Sequence, residues 1–105
     1  MKRLTKTQKM MLDRDAYIRL VCDMMRLPPQ AVMSMRKDQR ASMARQLVMW
    51  AMRRKGYTTL QIGFAMARTH GTVLHDVNKV EGLIELKLPF TKEWRDIANK
   101  CLTIN

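Results

Sequence analysis

The sequence Arg68-Thr69-His70-Gly71-Thr72-Val73-Leu74-His75 lies between a short helical pattern and a long one. Small and polar residues occupy the first turn of the second pattern, and its apolar residues begin just behind them, at Val73 and Leu74. Such a helix can be held to a core by one face while its first turn projects into solvent. A recognition helix needs this arrangement to enter a DNA major groove. The stretch therefore predicts the second helix of a helix-turn-helix unit.

Capping and apolar residues around this stretch define the two helices of the unit. The first is expected from Leu60 to about Ala67, with Thr58 or Thr59 as its cap. A tight turn at 67–69 then leads to a helix from His70 to about Leu86. The apolar stripe of this second helix has helical spacing and consists of Val73, Leu74, Val77, Val80 and Ile84. The first helix is made of small residues, which let two helices cross closely.

One more helix is predicted after the unit. Leu88-Pro89 interrupts the pattern, and Thr91 is placed to cap a last helix. Its apolar residues are Trp94, Ile97, Ala98, Cys101 and Leu102. Their spacing is again that of one helix face.

Three helices are predicted before the unit. A first helix, capped by Asp13 or Asp15, is followed by a short one at 30–33 and a long one from about 42 to 55, which Gly56 ends. The expected inward residues of the first helix are Tyr17, Leu20, Val21, Met24 and Met25. Those of the long helix are Met43, Leu47, Trp50, Ala51 and the stem of Arg54.

These patterns predict one all-α domain of five or six helices. The 105 residues suffice for one core and not for two. Residues 1–12 are interpreted as a basic N-terminal arm and residues 13–105 as the domain. The 11 methionines are interpreted as filler of the core, because Met fits irregular gaps. A Met-rich groove that binds a partner is the alternative.

The charge of the chain points to a polyanionic partner. The net charge is +11, and residues 1–55 hold 14 Lys and Arg against 4 Asp and Glu. An excess of this size on a small domain favours binding to nucleic acid. The first half of the chain is therefore expected to supply most of the non-specific attraction.

Composition argues against several other classes of site. Cys22 and Cys101 lie far apart, each on an apolar stripe, and are expected to be buried thiols. Two histidines without a Cys-x-x-Cys pair do not make a usual zinc site, so no metal or other cofactor is predicted. No apolar run is long enough to span a bilayer, and no signal peptide is recognised. We expect a cytoplasmic, nucleoid-associated protein.

Four segments resemble the C-terminal DNA-binding domain of the bacterial replication initiator DnaA. They are Ala44-Arg45-Gln46, Thr59-Leu60-Gln61-Ile62-Gly63, the stretch 68–75 and Lys79-Val80-Glu81. The family's signature runs Arg-Asp-His-Thr-Thr-Val-Leu-His, and its helix-turn-helix opens with a Ser-Leu-x-x-Ile-Gly-like segment. The resemblance covers roughly residues 15–102 and implies a Trp-repressor-like helix-turn-helix fold that binds double-stranded DNA.

The resemblance also implies which residues contact bases and which enter the minor groove. His70 and Thr72 match positions that contact bases, and the neighbouring Thr69 and Gly71 are further candidates for base contacts. The family sends an Arg from a basic loop into the minor groove, and the loop at 34–40 offers three candidates. These are Arg36, Lys37 and Arg40. The plainer alternatives are a surface helix start for His70 and a second cap for Thr72.

Further residues are candidates for the DNA backbone. They are Arg45, Thr59, Leu60, Arg68, His75 and Lys79. Free N–H groups at the start of the helix containing Thr59 and Leu60 suit a phosphate. For Arg45, Arg68 and Lys79 the alternative is solvated charge. For His75 a phosphate contact and a buried imidazole stay open.

The chain departs from the family at the centre of the signature. Thr69 stands in place of the family's Asp, Gly71 in place of its first Thr, and Met66-Ala67 in place of Gly-Gly, with one residue missing. The acidic acceptor for a cytosine amino group is thus gone, so we expect specificity different from, or looser than, that of the family. No phosphate-binding Gly-x-x-x-x-Gly-Lys-Ser/Thr loop occurs, and we do not expect a complete initiator.

Two hypotheses follow. The first is a stand-alone regulator of replication or transcription at DnaA-box-like sites, of the kind that a phage or mobile element encodes. The second is an interaction module whose Met-rich helices bind a partner such as the host replication initiator. Enzymatic activity is not predicted, because the acidic residues are scattered and neither histidine has an adjacent nucleophile.

Overall fold

A computed structural model describes residues 3–104 as a bundle of six α-helices. The helices are α1 (Lys6–Met25), α2 (Gln30–Met33), α3 (Gln39–Lys55), α4 (Thr59–Met66), α5 (His70–Glu85) and α6 (Lys92–Leu102). One turn of 3-10 helix, Pro89–Thr91, precedes α6. This part of the chain contains no strand, and its Cα radius of gyration is 13.2 Å. That radius is expected of one compact domain of about 100 residues. Because the described residues form helices and no strand, the all-α prediction is confirmed.

The first helix begins earlier than predicted. Thr5 caps it, accepting a hydrogen bond from the backbone N–H of Gln8, whose side chain accepts from the Thr5 N–H in return. The prediction that Asp13 or Asp15 caps this helix is therefore wrong, because the capping box of Thr5 and Gln8 starts the helix about two turns earlier. Residues 6–12 are helical, and Met10 already belongs to the core. The division into an arm and a domain at residue 12 stays a prediction.

The central element is α3, which contacts every other helix of the bundle. The predicted inner residues Met43, Leu47, Trp50 and Ala51 are buried, as are neighbours on other sides of the helix. A helix covered on several sides is apolar around most of its circumference. The stem of Arg54 was wrongly placed inside: Arg54 is exposed, with its guanidinium carbon 5.7 Å from the Trp50 ring centroid.

Methionine and cysteine fill this core. The buried methionines are Met10, Met25, Met43, Met49, Met52 and Met66. Among the described methionines only Met24 and Met35 are exposed. Cys22 and Cys101 are both free and buried, as predicted. The interpretation of methionine as core filler is confirmed.

The predicted start of α3 and several predicted stripe positions need correction. Asp38 caps α3 by accepting from the Ala41 N–H, so Arg40 lies in the first helical turn and not in the basic loop. The predicted cap of the next helix and the predicted end of α5 are confirmed, since Thr58 caps α4 and α5 ends at Glu85. Some residues placed on apolar stripes lie at the rim and are exposed. They are Met24, Leu74 and Leu102.

Gly63 brings α4 and α5 close together. A Cβ atom built on Gly63 would lie 2.7 Å from the backbone oxygen of Arg68, in the turn between the helices. The same turn is closed by the Arg68 N–H, which donates to the Gly63 carbonyl at 2.9 Å. The predicted close crossing through small residues is confirmed. Any larger side chain at position 63 would press its Cβ against the backbone of this turn.

Replacing Gly63 with Ala is expected to lower the free energy of unfolding by about 1–3 kcal/mol, the usual cost of overpacking. Chemical denaturation followed by circular dichroism measures it. Gly82→Ala is the matched control, because a Cβ atom there meets nothing within 4 Å. In the interior of α5 that change should stabilise by up to about 1 kcal/mol. Equal effects at the two glycines would contradict the close crossing.

Candidate nucleic-acid interface

The helix-turn-helix consists of α4, the turn at 67–69 and α5. Ala67 ends α4 in the left-handed conformation, with φ 55°, and Thr69 is extended and caps α5. The Thr69 hydroxyl accepts from the Thr72 N–H at 3.2 Å. Val73, Val77 and Val80 are buried, so one face of α5 holds it to the core. The predicted turn and the predicted start of α5 at His70 are confirmed.

The first turn of α5 is presented to solvent. Thr69, His70, Gly71 and Thr72 are all exposed. The Thr69 hydroxyl donates to the Thr72 hydroxyl oxygen at 2.9 Å, which leaves the Thr72 proton and methyl free for another group. His70 uses Nδ1 to contact the Thr59 hydroxyl at 2.7 Å, so Nε2 is the ring nitrogen without a protein partner among the described contacts. This surface can offer hydrogen bonds and a methyl group to base edges.

The N-terminus of α4 lies beside this surface, since Thr59 contacts His70. Thr58 caps α4 by accepting from the Gln61 N–H at 3.1 Å. The first backbone hydrogen bond of α4 is donated by Ile62 to Thr58, after the N–H groups of Thr59 and Leu60. Free N–H groups and the helix dipole favour an anion at such a position.

Two of the three cations predicted in the basic loop are available there. Arg36 and Lys37 are exposed, and Arg36 pairs with Asp38 at 2.8 Å. Arg40, in α3, instead donates to Glu93 of α6 at 2.7 Å and to the Met25 carbonyl at 3.2 Å. The structure thus assigns Arg40 to the contact between helices.

Arg45 requires a correction, because it is buried. Its Nε donates to the Val32 carbonyl at 2.9 Å, and its Nη2 donates to the carbonyls of Ser34 and Arg36 at 3.0 and 3.1 Å. Burial, with the positive charge of Arg68 nearby, lowers the pKa of the Arg45 guanidinium. Arg45 therefore holds the basic loop in place instead of offering its charge to a phosphate.

Arg68 joins the same loop to the helix-turn-helix. Its Nη2 donates to the Ser34 carbonyl at 3.0 Å, the carbonyl that also accepts from Arg45. Its Nη1 donates to the Ala67 carbonyl at 3.1 Å, within the turn. Two guanidinium groups thus meet at one loop carbonyl and fix the loop relative to the start of α5. This contact was not predicted from the sequence. One signal for it was present: Arg45 lies on the same face of α3 as the buried apolar residues Ala41 and Val48, which indicates a buried arginine.

His75 and Lys79 continue along the exposed side of α5, four and eight residues after Gly71. The His75 side chain is 78% exposed, with Nδ1 3.3 Å from the Asp76 carboxylate. The buried alternative for His75 is therefore wrong. Both side chains are exposed to solvent.

Within residues 3–104, no group of three or more His, Cys, Asp or Glu side chains is arranged to hold a metal ion. None of the helices in this range is long and apolar enough to cross a membrane.

Comparison with known proteins bears on the same region. The family model described as the bacterial DnaA protein helix-turn-helix matches residues 15–80, which include the basic loop, α3, α4 and most of α5. No curated protein matches the chain. The match covers more than half of the 105 residues, and the structure contains the helix-turn-helix in that range. The chain therefore belongs to the family of the DnaA helix-turn-helix, a DNA-binding domain.

Proposed function

We propose that this protein is a sequence-specific binder of double-stranded DNA that regulates replication or transcription at DnaA-box-like sites. The observation that carries the proposal is the exposed first turn of α5, anchored from behind by three buried valines. Such a protein would act in the cytoplasm on the nucleoid, without a cofactor. Catalysis forms no part of the proposal.

The roles of the site residues follow from their positions. His70 and Thr72 read base edges in the major groove, while Thr69 and Gly71 let the backbone approach closely. The N–H groups of Thr59 and Leu60 bind a phosphate, and His75 and Lys79 contact the backbone further along α5. Arg36 or Lys37 reaches the minor groove from the loop.

The base-reading role predicts a selective loss of affinity. A preferred site is first obtained by in-vitro selection on random duplex DNA. His70→Ala and Thr72→Ala should each cost about 1–3 kcal/mol on that site and little on a scrambled duplex. Lys79→Ala should lower both affinities together. Competition binding measures the difference, and equal losses on both duplexes for His70→Ala and Thr72→Ala would show that α5 does not read sequence.

Restoring the family's signature is the reciprocal test. Thr69→Asp with Gly71→Thr should move the preference toward the DnaA box, because it returns an acceptor for cytosine and a methyl for thymine. The fold has room for the change, since a Cβ atom on Gly71 meets nothing within 4 Å. An unchanged preference would mean that other residues set specificity.

The alternative, an interaction module that binds a replication initiator through Met-rich helices, has less support. Nearly all described methionines are at least partly buried, and the two exposed ones lie on α1 and on the basic loop. Stoichiometric capture of an initiator, unaffected by Thr72→Ala, would favour it over DNA binding.

A further inference from the structure

A groove with apolar walls and a basic rim lies between the start of α1 and α4. Its volume is about 700 Å³, in the range of ligand-binding clefts in proteins. The lining residues that matter here are Lys6, Lys9, Lys55, Tyr57, Leu60 and Phe64. We call it the α1–α4 groove. The DNA-binding proposal uses only the backbone N–H of Leu60 from this set.

The apolar anchors of the groove are two large side chains on α4. Leu60 is 70% exposed and Phe64 is 66% exposed. They are four residues apart and therefore neighbours on one helix face. Gly63 faces the turn before α5, and Ile62, Ala65 and Met66 are buried. The face with Leu60 and Phe64 is thus the one that neither the core nor α5 uses. Adjacent exposed apolar side chains of this size are typical of an interaction site.

The charges around Leu60 and Phe64 indicate which kind of partner the groove can bind. Three lysines line the groove, and no Asp or Glu is among its lining residues. The Lys55 ammonium lies 3.8 Å from the Asp13 carboxylate, so Lys6 and Lys9 carry the charge argument. A second copy of the chain is disfavoured, because each copy carries a net charge of +11. A DNA backbone would satisfy the lysines but would set charged phosphates against Phe64. An acidic segment with apolar side chains on one face matches both features.

We propose that the α1–α4 groove binds an acidic, amphipathic segment of a partner protein. Its apolar side chains, spaced as on one helix face, rest on Leu60 and Phe64. Its carboxylates face Lys6 and Lys9. This activity is separate from base reading by α5 and goes beyond the proposed function.

The test is a selection of random displayed peptides of about 16 residues, long enough for a helical face, on the whole protein without DNA. We expect the enriched peptides to be acidic, with apolar residues at i and i+4 spacing. The affinity of the protein for one enriched, fluorescently labelled peptide is then measured by fluorescence anisotropy. Phe64→Ser, and separately Lys6→Glu with Lys9→Glu, should each weaken it about tenfold or more.

Matched control variants distinguish binding in the groove from nonspecific binding elsewhere on the surface. Phe90→Ser removes a phenylalanine that is 69% exposed on the 3-10 turn, and Lys87→Glu with Lys100→Glu changes charge equally elsewhere. Both should leave peptide affinity nearly unchanged. Equal losses in controls and groove variants, or enrichment of peptides without acidic residues, would overturn the proposal. The proposal would also be overturned if no peptide were enriched and Phe64→Ser lowered the affinity for DNA, because the groove would then belong to the DNA interface. Peptide binding is measured without DNA, so failure of the DNA proposal leaves this test intact.

Discussion

DNA binding is expected to weaken about 10³-fold as salt rises from about 50 to 200 mM, if about six phosphates are contacted. The physical reason is the release of counterions from the DNA when cations of the protein neutralise phosphates. The exposed cations of the proposed interface, Arg36, Lys37 and Lys79, supply part of this effect. A plot of log K against log salt should have a slope near −5. A slope near zero would end the DNA hypothesis.

The basic loop should account for a defined part of that slope. Arg36→Gln with Lys37→Gln should flatten it by about two units if both contact phosphate. Arg40→Gln should change it less. Among the described contacts, the Arg36 guanidinium pairs only with Asp38 in its own loop, whereas the Arg40 guanidinium is held by two groups on other helices, the Glu93 carboxylate and the Met25 carbonyl. The control is Lys87→Gln with Lys100→Gln, which removes the same charge from outside the proposed interface. If loop and control variants had the same slope, the loop would not contact DNA.

The helix-turn-helix could be predicted because its signals are local. The capping Thr69, the small residues of α4 and the valine stripe of α5 each act within one or two turns of chain. Thr58 and Gly56 likewise mark helix ends through contacts with residues three or four positions away. The start of α1 also has a local signal, the capping box of Thr5 and Gln8, although the predicted boundary lay about two turns later and was wrong.

The roles of the arginines could not be predicted, because they depend on distant partners. Arg68 binds the carbonyl of Ser34, and Arg40 binds Glu93, 53 residues away. A charged residue between apolar ones can be solvated, paired or buried, and only tertiary packing decides which. The same holds for Leu60 and Phe64, whose exposure depends on what packs against α4.

Replacing Trp50 with Ala is expected to lower the free energy of unfolding by about 3–5 kcal/mol, which is a large part of the stability of a small domain. Trp50 is 3% exposed in the central helix α3. Its indole N–H donates to the Glu81 carboxylate at 2.8 Å and thereby links α3 to the recognition helix α5. The substitution removes both the packing and this link. Urea denaturation followed by circular dichroism gives the loss.

Two further variants separate these contributions. Trp50→Phe keeps most of the apolar volume and should lose about 1–3 kcal/mol through the unsatisfied Glu81 and the smaller ring. Trp94→Ala should cost less than Trp50→Ala, because Trp94 is only partly buried against the core. Sequence alone placed both tryptophans in the core, so the difference between them tests the packing itself. Equal losses of stability in Trp50→Ala and Trp94→Ala, or unchanged unfolding of Trp50→Ala, would contradict the packing of α3 in the core and its contact with α5.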